Sequence, residues 1–197
     1  AFVTFFVLID APGVAPIFAS LTAPGGSAYA RKMAFKSVFV AGLILFFFAF
    51  AGAWLLEHLG ISLDAFRVAG GVLLFLIALE MVFEKRQARQ KTRADQVLAD
   101  EEASGRLEDV SVFPLAIPMI AGPGSIATAM LYMQNAAGDA VGIGIVSFAI
   151  AANLALAGLI FLIAGPLIRV MGDQIAGAIT RIFGVILSAL DAGFASL

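Results

Sequence analysis

Half of the charged residues in this chain, 13 of 26, fall within one stretch, EKRQARQKTRADQVLADEEASGRLED at 84–109. On either side the charges thin out so far that three apolar stretches fit into each flank. The hydrocarbon core of a bilayer takes about 20 apolar residues per helix. Six windows meet that length: 1–22, 37–57, 62–83, 112–134, 141–168 and 175–196. Composition agrees, since 61% of the 197 residues are hydrophobic and 13% charged, against about 25% charged in a soluble domain. The pattern predicts an all-α membrane protein with six transmembrane helices. The charged segment divides it into a first three-span unit at 1–83, a linker at 84–110 and a second three-span unit at 111–197. The chain opens on Ala1 inside an apolar run without the basic lead of a signal peptide, which reads as a span entered in its middle.

Orientation follows from the cations. Ten of the twelve Lys and Arg residues lie in alternate connections: Arg31, Lys32 and Lys36, then Lys85, Arg86, Arg89, Lys91, Arg93 and Arg106, then Arg169. The intervening connections and the C-terminal end carry none. Positive loops stay cytoplasmic, so the linker is expected inside and both termini outside. Trp54 and His58 fall at the outer end of the second span, where aromatic rings anchor at the interface.

The apolar runs contain their own interruptions. LIDAPGVAPIF (8–18) and MIAGPGSIATA (119–129) each hold a Pro-Gly pair, and both residue types disfavour helix interiors. Residues 2–18 align with 113–129, placing Pro12 on Pro123 and Gly13 on Gly124. Likewise FRVAGGVLL (66–74) aligns with TRIFGVILS (180–188), placing Arg67 on Arg181. Each half has an odd number of spans, so the second half is expected upside down relative to the first, as two inverted three-helix repeats with helices 1 and 4 broken. Secondary transporters are often built this way. Non-helical backbone at membrane depth is tolerated where it lines a polar cavity. The two breaks are therefore expected to meet at the midplane and present half-helix N-termini, which favour anions.

That expectation makes Asp10, Pro12, Gly13, Gly122, Pro123, Gly124, Ser125 and Thr128 candidate substrate residues, with Asn153 of the fifth span beside them. Asp10 reads either as the N-cap of the half-helix that follows or as a group holding an ammonium, a cation or a proton. Asn153 is interhelical glue or a ligand contact. Arg67, Arg181, Glu80 and Asp191 form a candidate charge network, with Arg67 expected to pair with Asp191 and Glu80 with Arg181. The glycine-rich runs at 69–71 and 142–144 suggest close helix packing. No cysteine is present and His58 is the single histidine, which argues against a resident metal, and no cofactor is expected. No nucleophile–base set and no phosphate loop is visible, so an enzyme is disfavoured. The net charge of −2 argues neither for nor against nucleic acid, and no nucleic-acid partner is expected.

The elements LIDAPGVAPIFASLT, ISLDAFRVAGGVLLFLIALEM, VFPLAIPMIAGPGSIATAML and TRIFGVILSAL, in this order, resemble the MarC family of bacterial inner-membrane proteins, which includes SnatA-type neutral amino acid transporters. The resemblance covers nearly the whole chain. It implies a multi-pass inner-membrane protein moving small neutral amino acids such as alanine, glycine or serine. It leaves open the direction of transport, the coupling ion (H⁺ or Na⁺) and whether the chain is a homo-oligomer. Here the proline comes two places after Asp10, with Ala11 between, whereas the family usually has it immediately after the acid or amide. A solute or ion channel and a partner subunit with no transport of its own are the alternative readings.

Overall fold

The computed structural model describes residues 1–194, without the side chains of 168–174 and 191–194. The described residues are helical with no strand. The elements are α1 (Phe2–Ile9), α2 (Ala11–Thr22), a short turn (Ala23–Gly25), α3 (Gly26–His58), α4 (Leu63–Val82), α5 (Lys85–Ser104), an irregular segment (Ser111–Ile120), α6 (Pro123–Asn135), α7 (Ala140–Leu162) and α8 (Ala164–Phe194). Several boundaries follow local chemistry. The Ser62 side chain caps α4 by accepting from the Ala65 N–H at 3.2 Å, and Asp139 caps α7 by accepting from Val141 N–H at 3.0 Å. Gly105 ends α5 at φ 65°, a left-handed conformation that glycine adopts without cost.

Leu63–Val82 and Ala140–Leu162 are each long and apolar enough to cross a membrane. So is the run Phe2–His58, which is interrupted at Asp10 and at the Ala23–Gly25 turn. The pair Ser111–Ile120 and Pro123–Asn135, bent by 57°, adds a fourth, and Ile175–Leu190 within α8 is a shorter apolar stretch. Phe35, Phe39, Leu43, Phe47, Phe50 and Trp54 stand exposed along one side of α3. A surface this apolar suits lipid and not water. At the end of this stripe the Trp54 and His58 rings lie 4.2 Å apart.

The structure departs from the sequence reading in four places. Residues 85–104, expected as a linker, form a helix packed against α2 and α4. Its buried residues Gln90, Ala94, Val97 and Glu101 recur at helical spacing, so one narrow face binds the bundle and most of the charges fill the other. The connection after it is fastened to α3 by a Tyr29 hydroxyl bond to the Glu108 carbonyl and a Lys36–Asp109 ion pair. The expected connection near 168–175 is instead a turn at Ile163, after which α8 runs for 31 residues. The stretch before the second break is not a regular helix, because Phe113 and Ile117 take extended conformations ahead of Pro114 and Pro118, which disfavour helical geometry in the residue before them. Of the glycine-rich runs, Gly70 lies against Leu131 of α6, but Gly144 faces open space.

One core lies between α1, α2, α3, α6 and α7, and a smaller cluster of Val7, Leu8, Leu74, Ala78, Met81 and Leu187 joins α1 to α4 and α8. Leu8 and Leu74 of this second cluster also flank Gly124 of the second break.

Candidate functional site

The first break is a single residue. Asp10 ends α1 and caps α2 at φ 49° and ψ 48°, which aspartate tolerates better than most residues. Its Oδ1 accepts from the Gly13 N–H at 3.2 Å, and Oδ2 accepts from the Thr180 hydroxyl of α8 at 2.8 Å. The Gln87 amide of α5 donates to that same hydroxyl at 2.9 Å. A Cβ on Gly13 would lie 2.4 Å from both Asp10 Oδ2 and Thr180 Oγ1, so glycine is required here by the cap itself. Pro12, half-buried in the first turn of α2, gives up no needed donor. On the other side of the break, Arg86 of α5 donates to the Leu8 carbonyl at 2.7 Å, satisfying an acceptor that the end of α1 leaves free. The α2 N-terminus thus already holds a carboxylate, and the α1 C-terminus already holds a cation.

The second break is built differently. Gly122 caps α6 with no side chain to offer, and the Pro118 carbonyl would stand 2.6 Å from any Cβ placed there. Pro123 occupies the first helical position and has no N–H. The N–H groups of Gly124 and Ser125 have no partner among the described residues. The Ser125 hydroxyl and the Gln90 amide have none either among the described residues, although the two residues are only 2% and 6% exposed. All of these line one cavity of about 270 Å³, together with Leu8, Leu73, Leu76, Ile77 and Pro118 on its apolar side and Glu80, Arg86, Arg89 and Arg93 on its charged side. A larger open groove of about 720 Å³ runs between α2, α5 and α8, with Gly13 in its wall.

The breaks are adjacent but staggered. A Cβ on Gly124 would be 3.2 Å from Leu8 and 2.6 Å from Ile77, in the C-terminal half of α4. From there α6 runs antiparallel to α4, to a 2.7 Å bond between Asn135 and Arg67. Asp10 instead meets Thr180, one turn before Gly184, which packs on Ala78, Met81 and Val82 at the end of α4. Leu8, not Asp10, is the residue of the first break that packs on the second.

Of the expected site residues, Gly122, Pro123, Gly124 and Ser125 line the 270 Å³ cavity, whereas Asp10, Pro12, Gly13, Thr128 and Asn153 do not. Thr128 is fully buried, its hydroxyl without a partner among the described residues. Asn153 donates to the Phe2 carbonyl at 3.1 Å and the Ala149 carbonyl at 2.8 Å, tying α7 to the start of α1. The charge network is re-paired. Glu80 meets Arg89, Arg181 meets Glu84 at 2.6 Å, and Arg67 meets Asp64 at 3.3 Å. Among the described residues the expected Glu80–Arg181 pair is absent, because Arg89 of α5 and Glu84 just ahead of that helix are the nearer partners. The side chain of Asp191 lies outside the described residues.

Arg86, Gln87, Arg89, Gln90, Arg93 and Thr180 escaped the sequence reading. The signal available for α5 was its helical spacing of Gln90, Ala94, Val97 and Glu101, hidden inside what otherwise reads as a solvated charge run. Thr180 had only the weak signal of a hydroxyl within an apolar stretch.

Comparison with known proteins matches this architecture to one family. The profile described as MarC family integral membrane protein matches residues 1–196. A UPF0056 membrane protein of Methanocaldococcus jannaschii is 36% identical over 196 residues, covering 96% of this chain and 89% of that protein. One from Archaeoglobus fulgidus is 32% identical, covering 98% and 88%, and the UPF0056 membrane protein YhcE of Escherichia coli is 32% identical, covering 98% and 87%. No solved structure matches. With its profile matched almost end to end and relatives above 30% identity across nearly their whole length, the chain belongs to the MarC family of integral membrane proteins.

Proposed function

We propose that this chain is a secondary transporter or exporter of small neutral amino acids in the bacterial inner membrane. In this reading six spans form two inverted three-helix units, the termini are external, and α5 lies at the cytoplasmic side. The substrate carboxylate binds the N–H groups of Gly124 and Ser125, with the Ser125 hydroxyl and the Gln90 amide completing its shell. The single observation that carries the reading is this set of unpartnered donors, nine-tenths buried yet opening into a shared cavity. Buried polar groups are normally paired, so donors left over at a helix N-terminus suit an anionic group from outside the chain. Size limits the ligand. At about 270 Å³ the cavity is smaller than the roughly 300–1,000 Å³ of sites for drug-sized molecules. Leu8, Leu73, Leu76 and Ile77 give the remaining wall an apolar lining fit for a short aliphatic side chain.

The test is uptake of labelled alanine, glycine and serine into proteoliposomes under an imposed H⁺ or Na⁺ gradient. Saturable, gradient-dependent uptake is expected. Flux that does not saturate would favour a channel, and no flux would favour a partner subunit.

A further inference from the structure

An amino acid brings an ammonium group two bonds away from its carboxylate, so a site this small needs an acceptor within the same cavity. Among the described residues lining it, Glu80 is the one carboxylate. It belongs to the cavity face of α4, since Leu73, Leu76, Ile77 and Glu80 recur at three- and four-residue spacing. In this structure its carboxylate is engaged by the Arg89 guanidinium of α5. The two partners are unequal. The Arg89 side chain is 59% exposed and Glu80 29%. Arg89 can therefore swing into water at little cost, because exposed ion pairs contribute only about 0–1 kcal/mol. Glu80, held on a packed helix, cannot follow it.

We propose that Glu80 is the residue that receives the substrate's ammonium group, in exchange for its pairing with Arg89. This rests on the amino acid reading above and deepens it. A zwitterion can meet both halves of the cavity at once: its carboxylate answers the Gly124 and Ser125 donors, and its ammonium replaces Arg89 on Glu80. A carboxylate without an amine fills only the first half and leaves the Glu80–Arg89 pair in place. The arrangement thus selects for an amine beside a carboxylate, which an anion site at a helix end does not do alone.

Binding of alanine and of its deaminated analogue propionate to the purified full chain in nanodiscs separates the two halves. Glu80→Gln is expected to raise the Kd for alanine about 10–100-fold, as for loss of a charged hydrogen bond, and to leave propionate unchanged. Arg89→Gln, at a largely exposed position, is expected to tighten alanine several-fold by removing its competitor. Equal weakening of alanine and propionate by Glu80→Gln would overturn the assignment, as would weakening of alanine by Arg89→Gln. If the unmodified protein takes up alanine and Glu80→Gln does so with an unchanged Kd, this inference alone fails. If the unmodified protein binds neither ligand, the transport reading fails and takes the inference with it.

Discussion

The two breaks share a Pro-Gly interruption and end up as opposites. At the first, Asp10 turns its carboxylate onto α2, Thr180 closes over it and Arg86 closes the end of α1. At the second, Gly122 stands where the cap would be and the N–H groups of α6 are left to the cavity. A helix N-terminus wants an anion. One break carries that anion in the chain; at the other, in the proposed function, a ligand supplies it. The identity of the cap residue therefore separates a break closed within the chain from one with free N–H groups, while the Pro-Gly pair makes each break available.

Four measurements can break or sharpen this contrast. Gly124→Val has the largest expected effect. Its side chain would push into Ile77 and Leu8 and cover the free N–H groups, so alanine uptake should fall to background while the protein still inserts and elutes as a single species. Normal uptake would move the site away from α6. Arg86→Met should act on the fold instead. It leaves the Leu8 carbonyl without its donor, at a cost of about 1–3 kcal/mol for an unpaired buried group. Thermal unfolding in detergent reads this as a lower midpoint.

Gly13→Ala tests the closed break directly. Its methyl would meet the Asp10 carboxylate and the Thr180 hydroxyl at 2.4 Å, an overpacking cost of roughly 1–3 kcal/mol. Stability should drop while alanine affinity, measured on the folded fraction, stays put. A loss of affinity without loss of stability would show that the first break also touches substrate.

The smallest effect belongs to the connection after α5. Burial raises the Asp109 carboxyl, but hydrogen bonds from Lys36 and from the Ser111 hydroxyl and amide outweigh it and hold it below the ordinary value of 3.8. A carboxyl depressed by folding stabilises above its unfolded pKa, and this is lost as the pH falls through the folded one. Asp109→Asn should therefore cost under about 1 kcal/mol at neutral pH, as for an exposed pair, and nothing once the pH lies below both values. A constant difference from pH 7 to pH 2 would remove the charge from the explanation.

Much of this molecule is readable in one dimension because the rules concerned are local. Apolar run length announces membrane helices, and Pro12-Gly13 and Pro123-Gly124 announce the breaks through missing donors and backbone freedom within a few residues. Gly124 and Ser125 were visible as candidate site residues for that reason. The partners of those breaks were not. Thr180 reaches Asp10 across 170 positions and Arg86 reaches Leu8 across 78, so no local pattern links them. The charged stretch at 84–109 reads as solvated because 13 charges outweigh four inward positions in any composition count. Only packing against α2 and α4 makes those four positions an inner face and carries Arg89 and Gln90 to the cavity. Sequence alone determined that the chain breaks twice within apolar helices. Tertiary structure decided which break is filled, because filling depends on which distant side chain has room to reach the exposed helix end.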